Sequence, residues 1–243
     1  MFDSLVNIFN IVLYKPLFNL LIVLYNYIPG HDFGIAIIFL TIIIRVIIYP
    51  LSVKAANSQK ALQNIQPKIQ EIQKKYKDDK EKQALETLQL YKTEKINPFS
   101  GIFLAFIQLP ILIALYRVFW QGLNPSELAN LYQFVASPGQ INAIFLSIID
   151  LSKPNYILAI LAGLTQYYQT KMLIPQQNIV KKQGSESDFA QIMQKQMLYF
   201  LPGFTIIILL GLPSALGLYW TVSGIFSIIQ QYLIFKKPTE QKI

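Results

Sequence analysis

Residues 34–52 read GIAIIFLTIIIRVIIYPLS, an apolar run with a single charge, Arg45, set between Ile44 and Val46. A helix needs about 20 mainly apolar residues to cross the hydrocarbon core of a bilayer. Three more runs qualify: 98–120, 156–173 and 213–235. A fifth, 196–211, is shorter and carries Pro202-Gly203. It counts as a span because Leu212-Pro213-Ser214 makes a tight turn into the last run. Over the 243 residues, 53% are hydrophobic and 14% charged, whereas soluble domains carry about a quarter charged residues. The expected fold is an all-α polytopic membrane protein, a five-helix transmembrane bundle.

Residues 1–30 are apolar but carry Lys15-Pro16 in the middle. A lysine at the bilayer centre costs about 2.5–3.5 kcal/mol on insertion scales. The stretch is therefore expected to be an extracytoplasmic interfacial helix region, with residues 31–243 forming the core. The other reading, a signal peptide, lacks its positive n-region and its small-residue cleavage site.

Orientation follows the basic residues. The segment 53–97 carries ten lysines, 171–195 four and the tail after Phe235 three, out of 21 Lys and Arg in all. Those segments are expected in the cytoplasm, placing the N-terminus outside and the C-terminus inside. The net charge of +8 is thus a membrane-topology signal, and no nucleic-acid readout is expected. Within 53–97, Leu62, Ile65, Ile69, Ile72 and Tyr76 make one helical apolar stripe. After Lys77-Asp78-Asp79-Lys80, the residues Ala84, Leu88 and Tyr91 make a second. Two such helices predict a cytoplasmic antiparallel hairpin, with Pro67 kinking the first arm. Residues 174–195 form the second cytoplasmic loop.

Arg45 sits about seven residues from the cytoplasmic end of its span, roughly 10 Å at 1.5 Å per residue. Snorkelling that far strains the side chain. No Asp or Glu occurs in any of the five spans, so no ion pair within them is available. Intramembrane charges face the bundle interior or a water-filled cavity. Neutral polar residues occur on the other spans: Gln108, Gln166 and Gln169, and Thr221, Ser223 and Ser227 beside Trp220. Taken singly, each reads as an interhelical hydrogen bond and Trp220 as an interfacial aromatic. Taken together with Arg45, the residues Gln108, Gln166, Gln169 and Trp220 outline a hydrophilic groove. The chain has no cysteine and one histidine, His31. No metal site, cofactor or catalytic residue is expected, and no Gly-rich phosphate loop is encoded. The expected role is not enzymatic.

Several stretches, taken in order, resemble the YidC/Oxa/Alb insertase family. They are Lys15-Pro16-Leu17-Phe18, the Arg45 segment through Tyr49-Pro50-Leu51, Gln66-Pro67-Lys68-Ile69, and Leu90-Tyr91-Lys92 with Asn97-Pro98. Further on come Gln108-Leu-Pro110-Ile111, Asp150-Leu151-Ser152, Phe200-Leu-Pro202 and Ile229-Gln230-Gln231. The likeness covers about Lys15 to Phe235. After Asn97-Pro98 the family's Gly-Cys-hydrophobic-Pro turn is replaced by Phe99-Ser100-Gly101-Ile102. The resemblance implies the short bacterial form, without the large periplasmic domain. It also implies a membrane protein insertase and chaperone in the bacterial cell (inner) membrane, with a groove open to cytoplasm and lipid. Nascent membrane proteins and the lipid bilayer would be its partners, with the ribosome and the Sec translocon as further ones. The alternative function is a small-molecule or ion transporter. Transporters commonly repeat broken helices in both halves, and here they occur only in the last pair.

Overall fold

The computed structural model describes residues 2–97, 100–122, 124–174 and 196–236. Most of the expected second cytoplasmic loop (175–195), residues 98 and 99 of the second span and the basic tail after Lys236 lie outside the described residues. The chain is all-α, with one small hairpin of strands.

Helix α1 (Phe2–Phe9), a π-helical turn (Asn10–Tyr14) and α2 (Lys15–Tyr27) run on as one rod, with helical backbone at both junctions. Lys15-Pro16 does not break it. Proline lacks an N–H, and its ring collides with the carbonyl four residues back. The wide turn relieves this, because the Lys15 N–H bonds to the Asn10 carbonyl five residues earlier, as in a π-helix. The device recurs at Gln196–Phe200, directly before α7 (Leu201–Leu209), where Pro202 again holds the second position.

Asp32 caps α3 (Phe33–Lys75), its Oδ1 accepting from the Ile35 N–H at 2.9 Å. This 43-residue helix unites the expected span and the first hairpin arm, with Pro50 and Pro67 inside it. After the turn, α4 (Lys80–Thr93) is capped by Asp79. On the first arm Ile65 and Ile69 are buried, as the stripe requires. On the second arm Ala84 and Leu88 are exposed. The sheltered face carries Gln83, Thr87, Leu90 and Tyr91 instead, which also fits one side of a 3.6-residue helix. An exposed Lys68–Glu94 pair joins the arms at 2.5 Å. Such pairs contribute little.

Helix α5 (Ser100–Gln121) precedes the loop that holds β1 (Ile144–Phe145) and β2 (Ile149–Asp150), paired Ile144↔Asp150 and Phe145↔Ile149. Then come α6 (Tyr156–Leu173), α7 and α8 (Ser214–Lys236). Among the described residues, three helices are long and apolar enough to cross a membrane: Ser4–Tyr27, α3 and α8. Phe106–Trp120 and Gln196–Leu209 are shorter apolar helices.

Helix α8 lies between α3 and α6. Towards α6, Gly217 meets Leu158 and Gly224 meets Thr165. One heptad on α8 thus advances the contact by one heptad on α6, so the two helices run parallel. Small residues permit this close approach. A neighbouring face of α8 meets α3.

The loop side is closed by polar ties. Along the N-terminal rod, Tyr14 donates to Glu127 Oε2 (2.5 Å) and Asn26 to the Ala136 carbonyl (2.8 Å). The Tyr132 N–H donates to Asn19 Oδ1 (2.7 Å) and the Asn142 N–H to the Tyr25 hydroxyl (2.9 Å). Arg117, near the end of α5, donates to Asn10 Oδ1 at 2.6 Å. Asp32 reaches the strand turn too, its Oδ2 accepting from the Leu146 N–H at 2.7 Å. The start of α8 is pinned where the Ser214 and Ala215 N–H groups donate to the Lys153 and Leu151 carbonyls.

Candidate functional site

Arg45 projects from α3 onto α8. Its Nε donates to Ser223 Oγ at 2.6 Å, and Ser223 is 3% exposed. One turn earlier on α8 stands Tyr219, whose hydroxyl accepts from Gln108 Nε2 of α5 at 2.7 Å. Residues four apart share a helix face. The stripe Tyr219–Ser223 therefore receives polar side chains from two neighbouring helices on adjacent turns.

The stripe continues towards the end of α8. Ser227 donates to the Ser223 carbonyl at 3.0 Å. Gln230 Nε2 donates to Ser52 Oγ of α3 at 2.7 Å, and Ser52 in turn donates to the Tyr49 carbonyl at 2.9 Å. Arg45–Ser223 and Ser52–Gln230 are each 178 positions apart in sequence. The α3–α8 pair is thus parallel and in register, with polar ties one heptad apart. Farther along, Lys60 Nζ lies 3.4 and 3.3 Å from the Ile234 and Phe235 carbonyls. Gln63 donates to the Leu173 carbonyl that ends α6. The base of the hairpin thereby caps two helix C-termini, where carbonyls lack helical partners.

Of the sequence-derived residues, Arg45 and Gln108 converge on one face of α8. Trp220 is half-buried against the core cluster. Gln166 and Gln169 lie on α6, and no hydrogen bond joins them to the stripe among the described residues. The Gln166 amide oxygen is buried there without a partner. Tyr219 and the Ser52–Gln230 pair escaped the sequence reading. The spacing Tyr219, Ser223, Ser227, Gln230 is the signal that points to them. Chemically, the site offers a guanidinium held by the neutral Ser223 hydroxyl, able to bind an anion but lacking a base–nucleophile pair. Among the described residues, no group of three His, Asp or Glu side chains could hold a metal ion.

Apolar helices of membrane length, with a buried polar stripe that receives one arginine, define a multi-pass membrane protein with a cationic interior. The chain belongs to the family described as "60Kd inner membrane protein", which matches residues 23–241. Its relatives carry the name "Membrane protein insertase YidC". The one from Fusobacterium nucleatum is 35% identical over 206 residues, spanning 85% of this chain and 87% of the relative. That from Clostridium tetani is 36% identical over 214 residues, 88% of this chain and 86% of the relative. The Tolumonas auensis protein is 35% identical over 223 residues, 92% of this chain and only 36% of that longer relative. The protein is a membrane protein insertase of this family. The relatives' shared name gives no support to the transporter reading.

Proposed function

We propose that this protein inserts and helps fold nascent integral membrane proteins by binding their polar N-terminal tails at Arg45, in a groove open to cytoplasm and lipid. The observation that carries the reading is the Arg45–Ser223 contact in a bundle whose spans hold no acid. The cation is uncompensated by any carboxylate there, so it attracts an acidic or polar tail. Gln108, Gln166, Gln169 and Trp220 line or flank the path. An inside-negative potential favours outward movement of each acid by about 2.3 kcal/mol per 100 mV. The apolar segment that follows partitions into lipid, which supplies the remaining drive. The action is physical partitioning rather than bond-making, and needs no cofactor.

The protein resides in the bacterial inner membrane with its N-terminus outside. The rod of α1 and α2 lies at the outer interface. Its polar ties to residues 127–142 run from Tyr14 to Asn26, and a rod crossing the bilayer would leave that loop within two turns. The lysine-rich hairpin meets the ribosome and incoming chains, and the bundle works alone or beside the Sec translocon.

Depletion of a host insertase, with this chain supplied instead, tests the function. Wild-type protein restores insertion of a single-span substrate. No restoration by a membrane-localised chain overturns the assignment. In the same cells, full activity of Arg45→Ala on an acidic-tailed substrate removes the charge from the mechanism.

A further inference from the structure

We propose that Ser223 is the positioning residue for Arg45, turning its guanidinium so that a carboxylate is taken by both terminal nitrogens at once. The inference rests on Arg45 being the substrate-facing cation. A guanidinium has five N–H donors in a rigid planar fork. Ser223 occupies the Nε donor at 2.6 Å, which is the elbow of the side chain. Fixing the elbow leaves the Nη1 and Nη2 edge, whose spacing matches a carboxylate through two parallel bonds.

The acceptor is itself held firmly. Ser223 is buried, and its own carbonyl receives the Ser227 hydroxyl. The next residue, Gly224, is pressed so close to α6 that a Cβ there would lie 2.6 Å from Thr165 Oγ1. The turn of α8 that carries Ser223 is therefore held in place against α6. A hydrogen bond to a charged group is stronger than a neutral one, so releasing the elbow disperses the fork over other rotamers. The substrate class is a peptide tail bearing Asp or Glu, preferred over the same tail bearing Asn, whose single oxygen cannot match the fork.

The purified full chain in proteoliposomes provides the test. The probes are a single-span protein with two aspartates in its N-terminal tail and its Asp→Asn counterpart, with insertion read by protease protection. Ser223→Ala is expected to lower insertion of the Asp-tailed probe about tenfold, the size of one such bond. The Asn-tailed probe changes less than about twofold by the same reasoning, and Ser223→Thr restores the difference. Equal loss on both probes, or loss on neither, overturns the inference. If Ser223→Ala fails to accumulate in a folded state, Arg45→Lys keeps the question open to disproof. It keeps the charge but lacks the fork, so the Asp-over-Asn preference must fall several-fold below that of the wild type, and an undiminished preference overturns the inference. Arg45→Ala is run alongside. No effect of Arg45→Ala removes the parent reading, whereas selective loss from Arg45→Ala without selective loss from Ser223→Ala removes the Ser223 inference alone.

Discussion

Gly224 of α8 lies against Thr165 of α6 so tightly that a β-carbon on the glycine would stand 2.6 Å from the threonine hydroxyl oxygen and 2.8 Å from its Cβ. In a free helix Gly→Ala is stabilising by about 1 kcal/mol. Here the clash reverses the sign, because the Thr165 Cβ belongs to a packed helix and cannot rotate away. Gly224→Ala is expected to destabilise the bundle by about 1–3 kcal/mol, the usual cost of overpacking. A lowered unfolding temperature in detergent checks it, and an unchanged or raised one contradicts the packing.

The Gln108–Tyr219 bond ties α5 to the polar stripe. Gln108→Ala and Tyr219→Phe each remove one partner of a contact made at 2.7 Å. A double-mutant cycle on detergent unfolding is expected to give a coupling of about 0.5–1.5 kcal/mol. Strict additivity of the two changes would mean that the bond contributes nothing.

Asp32 performs two tasks with two oxygens, capping α3 and holding the Leu146 N–H. Leu146 and Ser147 have φ of 49° and 60°, a conformation that costs non-glycine residues energy. Asp32→Ala should therefore cost the cap, about 0.5–2 kcal/mol, and also loosen the strand turn. Faster amide exchange at residues 144–149 reports the second effect. Unaltered exchange there would mean that the turn holds itself.

Lys60 and Gln63 bond the last carbonyls of α8 and α6. Replacing both by alanine should fray those ends, with cap and dipole effects of about 0.3–1 kcal/mol each. Hydrogen exchange at Ile234–Lys236 is expected to quicken, while exchange near Ser214 stays as it was.

Much of the fold is legible in the sequence because span length is a property of local composition. The run around Arg45 needs no partner to be recognised, and the absence of acids in the spans already rules out an ion pair within them. What chain order cannot show is register between helices. Tyr219 looks like one aromatic among many until Gln108 is seen to meet its hydroxyl, and Ser52 and Gln230 are distant in sequence. The second hairpin arm is instructive in the same way. Both Ala84-Leu88-Tyr91 and Gln83-Thr87-Leu90-Tyr91 fit a helical face, and only packing on α3 selects the latter. The helix passes Lys15-Pro16, and enters α7 before Pro202, by a widened π turn that leaves no composition signal.

The continuity of α3 makes it a lever. From Arg45 to Lys75 it is one continuous helix with Pro50 and Pro67 inside it, about 45 Å along its axis at 1.5 Å per residue. A pivot of roughly 10° at the level of the arginine would carry the far tip through about 8 Å on that length. A small adjustment around the arginine would thus be magnified at the far tip, with Lys60 and Gln63 acting as the brace that resists it.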